Sequence, residues 1–166
     1  MAYLLAFPVF IILTMAQIGI VSQLHLLRGT GDLVMIALVA WTLHERGNSA
    51  WAWAMVAGLL ISFVSATPMF APLAGYLILT AIVCLLRRQV WQVPLLAMFL
   101  ATMLGTIIIQ FIYLIVLKGT GTPLPWQESL SQVMLPSVLL NIILVLPVYV
   151  VITDLAHLVY PLEEGE

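Results

Sequence analysis

Few residues in this chain could do chemistry, and their spacing narrows what that chemistry could be. The three histidines, His25, His44 and His157, are scattered, and no two have the spacing that sets a pair of metal ligands on one helix face. Ser, His and Asp are all present, yet the histidines fall at loop or interface positions in different parts of the chain, so no nucleophile and base are set to converge. The single cysteine, Cys84, lies in an apolar stretch, which leaves neither a disulfide framework nor a thiolate metal site. No glycine-rich loop is followed by Lys and Ser/Thr, so a transporter that hydrolyses ATP by itself is excluded. The expectation is a protein that is not an enzyme, with no catalytic residue, no metal and no cofactor.

The polar side chains at apolar depth are Gln17, Gln110 and Asn141, with Asp32 and Asp154 at its edges. Asp32 follows Gly29-Thr30-Gly31 and precedes an unbroken apolar run, the place where a carboxylate caps free N–H groups and faces the positive end of a helix dipole. The alternative is an ionisable group that pairs with another chain or gates it, since acids near hydrocarbon face protein or water. Asn141 sits midway along an apolar run, where its amide must bond across helices; ligand contact is the alternative.

The elements that must position these groups follow from composition. Of 166 residues only five are basic and seven acidic, where a soluble domain of this length carries about 40 charges. With a mean hydropathy of +1.20, the solvent is a bilayer, whose core of about 30 Å needs about 20 apolar residues per helix. The five basic residues, Arg28, Arg46, Arg87, Arg88 and Lys118, are too dispersed to follow a row of phosphates, which excludes nucleic acid as a partner. Proline, glycine and polar punctuation divides one transmembrane domain over 1–166 into six helices, near 3–23, 32–43, 50–67, 70–86, 93–117 and 133–153. The stretch before Arg28 lacks a basic residue and reads as a retained first span. The second segment is short: as a helix it reaches about 18 Å. An even number of spans puts both termini on one side. Basic residues in the loops favour the cytoplasm by three (Arg46, Arg87, Arg88) to two (Arg28, Lys118).

Small residues recur every fourth position, as Ala50, Ala54, Gly58, Ser62 and Ala66 in the third segment and Ala97, Ala101 and Gly105 in the fifth. Such rows let backbones approach closely in lipid, where helix contact brings no hydrophobic gain. They are read as packing faces, within the monomer or for a partner's helix. Trp51, Trp53, Trp91 and Trp126 fall at segment ends beside polar residues and are expected at the membrane interfaces.

With its size and six segments, the chain resembles the rod shape-determining membrane protein MreD family. The likeness rests on Gly31-Asp32-Leu33, similar to a Pro-Asp-Leu motif, on Gly58-Leu59-Leu60, on Pro72-Leu73-Ala74-Gly75-Tyr76-Leu77, and on Asn141 through Pro147-Val148-Tyr149. Where that family often carries an acid after the Gly-Leu-Leu stretch, this chain has Ser62 and Ser65. The resemblance implies an all-α integral membrane protein of the bacterial cytoplasmic membrane, folded like the substrate-binding components of energy-coupling-factor transporters. It implies a non-enzymatic scaffold of the cell-elongation machinery that organises lateral peptidoglycan synthesis. The implied partners are MreC, RodA with its class B penicillin-binding protein, MreB and membrane lipids. The rival expectation is a vitamin-binding transport component. It needs a roomy polar cavity and a small-residue contact on the first span, where only Ala2 and Ala6 have the spacing.

Overall fold

The computed structural model describes residues 2–19, 23, 29–44, 49–87, 94–121, 125, 127 and 129–159. Among these the regular structure is helical, with no β-strand. The helices are α1 (Ala2–Gly19), α2 (Leu33–His44), α3 (Ala50–Val64), α4 (Phe70–Arg87), α5 (Pro94–Gly119) and α6 (Leu135–Val159), with a π-helical turn at Ser129–Met134. Pro136 lacks an N–H to give to a carbonyl of the preceding turn and its ring displaces that carbonyl, which accounts for the wide turn ahead of α6.

Three helical stretches, Phe70–Arg87, Leu95–Gly119 and Ser129–Leu158, are long and apolar enough to cross a membrane. Three others, Ala6–Gly19, Leu33–His44 and Ala50–Val64, are apolar but shorter. Six helices form, as the punctuation predicts, and three of them have the length to span. Helix α1 stops at Gly19 and residues 20–22 lie outside the described set. Helix α3 stops at Val64 instead of running to 67, because Ser65 turns extended (φ −78°, ψ 142°) ahead of Pro68. Helix α5 ends where Gly121 adopts φ 87°, with its N–H bonded to Lys118 O at 3.0 Å.

The 12-residue α2 is the axis of the bundle. Leu33 to Thr42 are all buried, and the helix packs against each of the other five. A helix apolar all round belongs in an interior, and one surrounded by protein need not match the bilayer's thickness. Its ends are complemented by charge: Asp32 stands at the N-terminus, and Arg87 Nη1 donates to Thr42 O (3.1 Å) at the other end. Near that second end Trp41 stacks on Trp53 (centroids 3.8 Å, interplanar angle 9°), and Phe10 of α1 meets Trp53 edge-on at 5.2 Å. Trp53 is fully buried, which corrects its expected place at the interface; the stack pulls it inward. Trp51 is exposed, and Trp91 and Trp126 lie outside the described residues.

The small-residue row of α3 faces inward as far as Ser62: Ala50, Ala54, Gly58 and Ser62 are buried. At Gly58 a side chain would meet Leu73 of α4, since a Cβ there would lie 2.9 Å from Leu73 Cα. The Ser62 hydroxyl lies 2.6 Å from Gly58 O and 2.8 Å from Met69 O, tying α3 to the start of α4. Ala66 departs from the expected row: it lies beyond the end of α3 and is exposed. On α5, Ala97, Ala101 and Gly105 are buried, the last against Leu79 and Met35. The outward faces carry Phe7, Ile12 and Met15 of α1 and Met55, Leu59 and Phe63 of α3, all exposed.

Candidate functional site at the head of the central helix

The first turn of α2 leaves backbone N–H groups that the helix itself cannot satisfy. Side chains from elsewhere in the chain do so. Asp32 Oδ1 accepts from Met35 N at 2.9 Å, the N-cap geometry expected from sequence. Gln17 Oε1, from α1, accepts from Val34 N at 3.3 Å. The loop that precedes α2 is held by α6 in the same way: Thr30 N donates to Ser137 Oγ (3.0 Å), and Asp32 N to Asn141 Oδ1 (2.7 Å). Gly29 permits this approach, because a Cβ at that position would stand 2.5 Å from Pro136 Cβ and 2.7 Å from Ser137 N.

The network continues into α4 and α5. Tyr76 Oη donates to Asp32 Oδ2 at 2.7 Å. Thr106 Oγ1 gives its proton to Thr102 O (2.8 Å) and so must accept from Asn141 Nδ2 (2.9 Å), which orients the asparagine with its oxygen toward Asp32. Gln110 Nε2 donates to Ser137 Oγ at 3.3 Å. Asp32 is thus bonded by donors from α2 and α4, and neither is a cation.

A cavity of about 220 Å³ opens beside this network; its wall includes Gln17, Asp32, Gln110, Tyr113 and Asn141, with Ile61 and Val64 on its apolar side. A second cavity of about 170 Å³ shares Gln110 and Tyr113 with the first and is otherwise walled chiefly by Leu114, Leu117, Val133 and Met134. The polar residues read from sequence as separate features, Gln17, Asp32, Gln110 and Asn141, therefore meet in one place. Asp154 does not join them and is exposed near the end of α6. His44 sits at the far end of α2, with Nδ1 2.9 Å from Ala40 O and Nε2 3.3 Å from Thr153 Oγ1. His157 is exposed, and His25 lies outside the described residues.

Tyr76, Thr106, Tyr113 and Ser137 are members that sequence reasoning passed over. A signal was present: Thr102, Thr106 and Gln110 recur every fourth residue on α5, as do Ser137 and Asn141 on α6. Each row draws one polar stripe along an otherwise apolar helix. Among the described residues no group of three or more His, Cys, Asp or Glu could hold a metal. The chain matches no family model, no curated protein and no solved structure.

Proposed function

We propose that the chain is a non-enzymatic membrane scaffold of the bacterial cell-elongation machinery, acting as MreD-family proteins do. It binds MreC and, with RodA, its class B penicillin-binding partner and MreB, helps to organise lateral peptidoglycan synthesis. In this proposal all six helices are embedded in the cytoplasmic membrane, arranged as in energy-coupling-factor substrate-binding components, with both termini in the cytoplasm. The observation that carries it is the use to which the polar groups are put. Asp32, Asn141, Tyr76, Thr106 and Ser137 bond to one another or to backbone N–H groups of α2 and the loop before it, an arrangement that fixes a rigid bundle and leaves the exposed apolar faces of α1 and α3 for lipid and a partner's helix. Affinity purification from a rod-shaped bacterium tests it. A one-span protein with a periplasmic coiled coil is expected in stoichiometric yield, and its absence would overturn the proposal.

A vitamin-binding transport component is the second reading, favoured by one observation: polar groups from α1, α5, α6 and the head of α2 converge on a cavity. Size weighs against it, since about 220 Å³ is below the roughly 300–1,000 Å³ of sites that enclose a drug-sized ligand. Recovery of a stoichiometric vitamin from the purified protein, with no one-span partner retained, would establish the transport reading in its place.

A further inference from the structure

The cavity beside α2 has more acceptor capacity than the bundle uses. A carboxylate offers about four lone-pair positions; the described donors to Asp32 are the backbone N–H groups of Met35 and Val34 and the Tyr76 hydroxyl, which leaves one position open. Gln110 spends its amide nitrogen on Ser137, leaving its carbonyl oxygen, and the Tyr113 hydroxyl in the same wall has no described partner. A carboxylate in an apolar bundle calls for a cationic or donor-rich partner, and an anion is repelled. A primary ammonium, with three N–H donors and no acceptor, matches the carboxylate, the amide oxygen and the phenol oxygen. A quaternary ammonium has no N–H and relies on several aromatic faces, whereas Tyr113 is the one aromatic residue of this wall. The volume of about 220 Å³ is far larger than a bare ion needs.

The second cavity decides what is attached to the ammonium. It shares Gln110 and Tyr113 with the first as a common wall and is otherwise lined chiefly by Leu114, Leu117, Val133 and Met134, so an apolar pocket lies beside the polar one. We propose that these two neighbouring cavities together bind an amphiphile with a primary ammonium headgroup, the head at Asp32, Gln110 and Tyr113 and the apolar portion against Leu114, Leu117, Val133 and Met134. An aminophospholipid of the surrounding bilayer has this chemistry. The proposal is independent of the scaffold reading: loss of a protein partner leaves lipid retention unchanged.

The test is native mass spectrometry of the full chain, released from nanodiscs of phosphatidylcholine containing an equal share of phosphatidylethanolamine. One phosphatidylethanolamine per chain is expected, retained at least tenfold over phosphatidylcholine. Tyr113→Phe removes a hydroxyl for which no hydrogen bond is described, and Asp32→Asn keeps a capping oxygen while removing the charge. Each is expected to lower retention at least threefold. Competition separates the sources of the amine: dodecylamine should displace the lipid at concentrations where ethanolamine does not. Equal retention of the two lipids, or unchanged retention in both variants, would overturn the proposal. Displacement by ethanolamine as readily as by dodecylamine would overturn the amphiphile and leave a site for free amines.

Discussion

The contact between α3 and α4 at Gly58 can be tested by a single methyl group. In Gly58→Ala the new Cβ lies 2.9 Å from Leu73 Cα and 3.0 Å from Leu73 Cδ1, against 3.4–4 Å for ordinary contact. The nearer obstacle is backbone, so relief requires the helices to part by about half an ångström or more along a face that also carries buried Ala54 and Ser62. Overfilling of this kind costs about 1–3 kcal/mol, and the better helix propensity of alanine returns up to about 1 kcal/mol. The net expectation is a loss of about 1–2 kcal/mol. Gly75→Ala is the matched control. Its Cβ would meet Ile109 Cγ1 at 3.4 Å and Ile112 Cδ1 at 3.9 Å, contacts a packed helix tolerates, so the propensity gain of about 0.5–1 kcal/mol should survive. Gly105→Ala falls between: its closest neighbours, Leu79 Cδ1 at 2.7 Å and Cδ2 at 3.2 Å, are ends of a side chain that can rotate. The assay is denaturation of the detergent-solubilised protein in a rising fraction of sodium dodecyl sulfate, followed by tryptophan fluorescence, to which the Trp41–Trp53 stack contributes. The expected order of stability is Gly75→Ala above wild type, then Gly105→Ala, then Gly58→Ala. Gly58→Ala and Gly75→Ala agreeing within about 0.5 kcal/mol would refute close backbone approach at this site.

Asn141→Leu leaves Asp32 N without its acceptor and Thr106 Oγ1 without its donor, so a loss of about 1–3 kcal/mol is expected in the same titration. Asn141→Asp should be worse still, because Thr106 has no proton left to donate to it and a second carboxylate is brought beside Asp32. Tyr76→Phe deletes the 2.7 Å bond to Asp32 Oδ2 and should cost about 1.5–3 kcal/mol, the range for bonds to charged groups; no change would mean that the phenol is not engaged. Trp53→Ala empties a fully buried site between Trp41 and Phe10, with an expected loss of about 3–5 kcal/mol, whereas Trp51→Ala on the exposed face should stay within about 0.5 kcal/mol.

What was legible in the sequence is what short stretches of chain decide. Twelve charges in 166 residues require an apolar solvent, and proline, glycine and polar punctuation placed the starts of the six helices to within two residues, although the last runs on to Val159 instead of ending near 153. Asp32 capping α2 was equally local, because a carboxylate three residues before an N–H at a helix start has that bond within reach. The tertiary structure alone decided which helix is central. All six are apolar around most of their circumference, so no polar face marks the side turned outward, and the short α2 could be read as a deficient span when it is the buried axis. The same ambiguity misplaced Trp53, whose position at a segment end is compatible with a headgroup or with a stack on Trp41. The site was the least legible part. Gln17, Asp32, Gln110 and Asn141 come from four separate segments, and their meeting depends on which helices are neighbours and how each is rotated. In an apolar bundle that rotation is set by close backbone approach, at Gly29 against Pro136 and at Gly58 against Leu73, and by the need to satisfy every buried backbone N–H, conditions that exist only once the helices are assembled.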